Sequence, residues 1–172
     1  TASTGERLES FVPAANASAT DLERALAGEI ETVFQPIVAT GDRRIVAYEA
    51  LSRGPAGSPL EDAATLFGVA TEAGRAAELD ALCQRLAIVR ALDVGIQAPF
   101  SLFLNSELNS DHEPYRSEAG LRAYRRAAEA GLPIVFEFTE RRLLEDPAAL
   151  IYGVQQARAV GWGVALDDLG AD

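Results

Sequence analysis

Along Ile45 to Arg53 the odd positions Ile45, Ala47, Glu49, Leu51 and Arg53 fall on one face of an extended chain, because side chains alternate along a strand. The stretch reads as a strand that carries a carboxylate and a guanidinium toward its end. Four other stretches read as strands: Thr32 to Ala39, Ser101 to Asn105, Ile134 to Thr139 and Gly163 to Asp167. Between the first two only a short joint containing Gly41-Asp42 is available, too short for a parallel crossover, so they are expected to pair antiparallel.

Helical patterns fill the gaps. Thr20-Asp21-Leu22-Glu23 has the form of a capping box and opens a short helix that stops near Gly28. Ser58-Pro59-Leu60-Glu61 combines the same pattern with proline at the first helical position, which predicts a helix from there to Gly74. Leu79, Leu82, Cys83 and Leu86 recur at helical spacing in the next one, with Cys83 on the apolar stripe as core packing. Two further helices are expected, near Glu118 to Ala130 and over Pro147 to Val160 with Asp146 as cap; Gly131, Pro133 and Gly161 mark the stops. Strand and helix alternate with short joints, which implies parallel strands covered by helices. Residues 1 to about 19 are rich in Ala, Ser and Thr and read as a linker or loose arm, ahead of one domain from residue 20 to residue 172.

Composition narrows the chemistry. The 172 residues are 48% hydrophobic, enough for one sizeable core. A net charge of -11 with no basic cluster argues against duplex DNA or RNA and against anionic membrane surfaces. Cys83 stands alone, so an intrachain disulfide is impossible and a cysteine-based zinc site is implausible. No apolar run approaches the roughly 20 residues of a membrane span, and no signal-peptide pattern opens the chain; a cytoplasmic setting is the expectation. His112, the sole histidine, lies in the polar segment from Ser106 to Ser117 and reads as solvated surface.

Each later strand runs apolar and then presents an oxygen donor toward its C-terminal end: Glu49, Asn105, Glu137 and Asp167, the last doubled by Asp168. In a parallel α/β barrel those ends converge on one rim, where such folds place their chemistry. Four oxygens without histidine or cysteine suit Mg²⁺ or Mn²⁺ rather than zinc. Paired aspartates can serve two metals in phosphoryl chemistry, with Arg53 gripping a phosphate oxygen. The plainer alternatives are an ion pair between Glu49 and Arg53 and a helix cap at Asp167-Asp168.

Taken together, Phe34-Gln35-Pro36-Ile37-Val38, Glu49-Ala50-Leu51-Ser52-Arg53, Asn105, Glu137-Phe138-Thr139-Glu140 and Asp167-Asp168-Leu169-Gly170 resemble, in order and spacing, the EAL domain of cyclic di-GMP phosphodiesterases. The resemblance covers about residues 22 to 172. It implies a modified TIM-type (β/α)8 barrel whose first strand is antiparallel, of which about five strands can be counted here. It implies hydrolysis of cyclic di-GMP to linear pGpG by metal-activated water, with Mg²⁺ or Mn²⁺ as cofactor. By the same resemblance Glu49, Asn105, Glu137 and Asp167 would hold the first metal, and Asp167 and Asp168 the second; Glu49, Asp167 and Asp168 would act catalytically through those metals. Arg53 would contact substrate phosphate, and Gln35 and Leu51 would line the nucleotide pocket. Glu140 would brace the loop after Asp168, which couples the metal site to homodimer formation. Sensory or GGDEF-type domains in a longer protein are implied partners. The family loop Asp-Asp-Phe-Gly-Thr-Gly is here Asp167-Asp168-Leu169-Gly170-Ala171-Asp172. The family's later lysine, glutamate and glutamine have no counterpart in these residues, so they are expected to form the N-terminal two-thirds of such a domain and to be inactive alone. The rival readings are a non-catalytic cyclic di-GMP receptor and a protein-interaction module of the same fold.

Overall fold

The computed structural model describes residues 19–106, 117–139 and 147–167. Its elements run α1 (Ala19–Leu26), β1 (Glu31–Val38), β2 (Ile45–Arg53), α2 (Ala63–Glu72), α3 (Ala76–Asp93), β3 (Ser101–Asn105), α4 (Glu118–Glu129), β4 (Ile134–Thr139), α5 (Pro147–Ala159) and β5 (Gly163–Asp167). The strands form one sheet in the order β1-β2-β3-β4-β5. The expected antiparallel first pair is present, and every later pair is parallel. Pro36, which cannot donate to a ladder, is accommodated because β1 lies at the sheet's edge among the described residues.

The two faces of the sheet differ. Leu102, Leu104, Ile134, Phe136 and Phe138 are buried with Ala50 against α3, α4 and α5 in the larger core cluster. Within it Tyr124, Phe136 and Trp162 stack as a group, with Tyr124 and Trp162 ring centroids 4.6 Å apart. A second cluster joins Leu22 and Ala25 of α1, Leu66 and Ala70 of α2, and Leu79 and Cys83 of α3, together with Ile30 and Leu60. Burial pushes the Cys83 thiol up to about 12, in keeping with a packing role.

Helix starts depart from the sequence pattern in two places. α1 begins at Ala19, one residue before the expected cap. α2 begins at Ala63 and not at Pro59: its cap is Asp62, whose Oδ2 accepts from the Thr65 amide at 2.9 Å. The residues expected to start it close a loop instead. The Ser58 hydroxyl accepts from the Leu60 amide at 3.1 Å, Glu61 accepts from the Gly57 amide at 2.8 Å, and the Gly54 amide donates to the Glu61 carbonyl at 3.0 Å. That closure brings Gly54 so near the Leu60 backbone that a Cβ would lie 1.9 Å from its carbonyl oxygen. α4 is capped by Ser117, whose hydroxyl accepts from the Gly120 amide at 2.9 Å. Gly131 and Gly161 end α4 and α5 at φ of +65° and +84°, where glycine has no Cβ penalty. The expected arm before residue 19, His112 and the Asp146 cap lie outside the described residues.

Candidate functional site

Strand register decides which side chains share a face. Glu49 is level with Phe103, Phe103 with Val135, and Val135 with Gly163. Asn105 stands two residues beyond Phe103, Glu137 two beyond Val135, and Asp167 four beyond Gly163. All are even steps, so all four side chains belong to the same face, opposite the helix-covered one. They climb the sheet as a staircase, with Asn105 and Glu137 paired on one tread and Asp167 on the next. Gln35 lies directly across from Glu49 in the antiparallel pair and Val33 across from Leu51, and Arg53 is two steps further along the same face. Gln35, Leu51, Arg53, Glu49, Asn105, Glu137 and Asp167 are thereby brought to one side. Only Asn105 and Asp167 are last in their strands; β2 continues four residues beyond Glu49 and β4 two beyond Glu137. Asp168 and Glu140 lie outside the described residues.

Glu49 does not pair with Arg53. Its Oε1 accepts from the Asn105 side-chain amide at 3.1 Å, while the Arg53 guanidinium turns to its neighbour's carbonyl, Ser52 O, at 2.8 Å. Among the described residues Arg53 forms no close ion pair, and its charge is felt by the Asp62 carboxylate, which is lowered first by the Thr65 amide bond and in smaller part by Arg53. The carboxylates, by contrast, face one another. The Glu137 carboxyl is raised to about 7, first by burial and then by the charges of Glu49 and Asp167. Its Oε2 is buried without a hydrogen-bond partner among the described residues. A buried, unpartnered carboxylate oxygen beside two further carboxylates and an amide oxygen is a donor set that fits a hard divalent cation. Among the described residues no three acidic, histidine or cysteine side chains close into a cage.

Beside this face a cleft of about 280 Å³ opens between the ends of β2 and β3 and the helices α2 and α3. Its floor carries Asp80 and Gln84, 7% and 2% exposed, with the hydroxyl-bearing Ser106. Sequence reasoning passed over these. The buried stripe of α3 runs through Leu79, Asp80, Cys83, Gln84, Ala87, Ile88 and Ala91, while Leu82 and Leu86 pack only partly buried on the smaller cluster. The available signal was the pair Asp80 and Gln84, polar residues spaced i, i+4 beside apolar Leu79 and Cys83.

The EAL domain family model matches residues 19–172. The fold is similar to that of solved structures below 25% identity. The PaMucR phosphodiesterase in a c-di-GMP complex has TM-score 0.69 and 22% identity, over 88% of this chain and 63% of its own. The FimX EAL domain from Pseudomonas aeruginosa bound to c-di-GMP has TM-score 0.65 and 22% identity, over 89% of this chain and 62% of its own. Klebsiella pneumoniae BlrP1, in a manganese/cy-diGMP complex, has TM-score 0.62 and 24% identity, over 83% and 35% respectively. Among curated proteins no sequence matches the chain significantly. The chain thus spans less than two-thirds of those three solved chains. A family match over all the described residues, on a sheet whose first pair is antiparallel and whose other pairs are parallel, places this chain in the EAL domain family.

Proposed function

We propose that this domain serves a phosphodiesterase that hydrolyses cyclic di-GMP to linear pGpG. The observation that carries the reading is the staircase of Glu49, Asn105, Glu137 and Asp167 on one face, with the buried Glu137 Oε2 left unpartnered. Glu49, Asn105, Glu137 and Asp167 would hold one Mg²⁺ or Mn²⁺, and Asp167 with Asp168 a second. Bound there, such ions lower the pKa of water and stabilise the attacking and departing oxygens of a phosphodiester. Arg53, which makes no close ion pair among the described residues, binds a phosphate oxygen of the substrate. Gln35 and Leu51 flank that position from β1 and β2 and line the nucleotide's path. Glu140 braces the loop that follows Asp168. Manganese and cyclic di-GMP in the BlrP1 complex, and c-di-GMP in the PaMucR complex, support the choice of cation and substrate.

A linker role for the residues before α1, a homodimer, a cytoplasmic setting and fused sensory or GGDEF-type domains belong to the same proposal. No helix among the described residues is long and apolar enough to cross a membrane. The later lysine and glutamate implied by the resemblance have no counterpart in these 172 residues, which are expected to be inactive alone. A non-catalytic receptor for the same dinucleotide is the second reading. Incubating the protein that carries this domain with cyclic di-GMP and Mg²⁺ or Mn²⁺ tests the two. Cation-dependent appearance of pGpG is the expected result; tight binding without product would leave the receptor.

A further inference from the structure

Gln84 is almost wholly buried, yet its amide touches three elements at once. Its Nε2 donates to Asp80 Oδ2 at 3.0 Å within α3 and to the Asn105 carbonyl at 3.3 Å on β3. Its Oε1 accepts from the Tyr124 hydroxyl of α4 at 2.9 Å. The orientation of the amide is chemically determined, because turning it over would set its oxygen against the Asp80 carboxylate. The Asn105 carbonyl is held from this side, and the next amide, Ser106, donates to the Glu137 carbonyl at 3.0 Å on the other. The end of β3 is therefore pinned laterally as well as by its ladder. From that end the Asn105 side chain reaches Glu49, and its Nδ2 is committed to that carboxylate. The amide's Oδ1 is the atom left to serve as a donor to a cation.

We propose that Gln84, anchored by Tyr124, is a positioning residue that fixes the β3 terminus so that Asn105 presents its side chain to Glu49 and its amide oxygen to a cation. The cation part rests on the site reading given above; the positioning of Asn105 does not. Packing alone would be met by leucine at position 84, since Ala87 and Ile88 on the same buried helix stripe and Leu104 in the same cleft are apolar. A buried amide that must find three partners is retained at a cost unless those partners need holding.

The test compares Gln84→Leu and Tyr124→Phe with Leu66→Ala, which loosens the other core cluster. Tyr124→Phe keeps the ring against Trp162 and Phe136 and removes the hydroxyl that donates to Gln84. Three quantities are read: the Asn105 side-chain amide signal in ¹⁵N NMR, assigned by its loss in Asn105→Asp; Mn²⁺ affinity by calorimetry; and the melting temperature. The expected result is a displaced Asn105 signal and a roughly ten- to hundredfold weaker Mn²⁺ affinity in Gln84→Leu, the range typical of groups that orient a metal's ligands. Tyr124→Phe is expected to move both in the same direction by less, and Leu66→Ala to lower melting alone. An Asn105 signal unmoved in Gln84→Leu, or in Tyr124→Phe should the first variant not fold, overturns the proposal. So does an equal shift in Leu66→Ala. Absence of Mn²⁺ binding by the parent, with the Asn105 signal displaced in Gln84→Leu, would refute the cation site and leave the positioning role standing.

Discussion

The Asn105 amide donates to the Glu49 carboxylate at 3.1 Å, joining the end of β3 to the middle of the adjacent parallel strand β2 by a side-chain bond on the polar face of the sheet. Glu49 is thereby engaged by a neutral partner, and its negative charge is not cancelled by Arg53.

Glu49→Gln follows from that pairing. The substitution retains an oxygen for the Asn105 amide and removes one charge from a site whose affinity depends on charge count. Mn²⁺ affinity is expected to fall by about tenfold or more. The melting temperature of the cation-free protein should stay close to that of the parent, since no buried ion pair is broken. Calorimetric titration beside thermal melting checks both; a large loss of stability with unchanged affinity would return Glu49 to a structural role.

The Glu137 carboxyl gives a pH dependence of definite sign. Burial, then Glu49 and Asp167, raise it from the ordinary 4.5 to about 7, so the folded protein holds an extra proton between those values. The associated stability is fully present below about pH 4.5 and is lost as pH rises through 7. Without divalent ions, melting should therefore fall with rising pH over that interval, and Glu137→Gln should flatten this part of the profile. Cations compete with the same proton, so Mn²⁺ affinity of the parent should climb over the interval.

Arg53→Ala separates ligand binding from folding. Its guanidinium is bonded only to its neighbour's carbonyl among the described residues, so little stability is at stake. A charge-assisted bond to a phosphate contributes about 1.5–3 kcal/mol, which corresponds to a loss of roughly ten- to hundredfold in cyclic di-GMP affinity. Titration of the dinucleotide without divalent ion reads this directly. An unaltered affinity would remove Arg53 from the binding surface.

Gly54→Ala tests the loop that sets α2 against β2. The added Cβ would meet backbone atoms of Leu60, which cannot swing aside as a side chain tip can. Overpacking of this kind costs about 1–3 kcal/mol, to be measured by urea unfolding. A neutral result would mean that the 54–61 closure is looser than its hydrogen bonds suggest.

Strand content was legible because each parallel strand is a short apolar run bounded by turn or helix-stop residues, as in Pro133 before Ile134 and Gly161 before Gly163. The sharing of one face by Glu49, Leu51 and Arg53 followed from alternation within a single strand. That Asn105 and Glu137 sit level, with Asp167 one tread higher, did not, because register between strands depends on packing of the intervening helices. The start of α2 was misplaced because Glu61 had two possible uses, and tertiary closure with Gly54 and Gly57 prevailed over the local cap. Asp80 and Gln84 escaped notice because the Leu-rich stripe one residue away gave the stronger periodic signal.

The staircase also bears on how the molecule acquires its charge cluster. The β1–β2 pair is local and can close early, whereas β3, β4 and β5 each return only after a helical crossover, whose contacts are slow to form. Glu49, Glu137 and Asp167 are therefore far apart in partly assembled chains and come together only when β5 docks on β4. Electrostatic repulsion among the three is deferred to that docking step, and a divalent ion that binds there rewards the docked strand without stabilising the earlier precursors. Such an ion should slow unfolding while leaving the early folding rate unchanged, the kinetic signature of a contact absent from the folding nucleus.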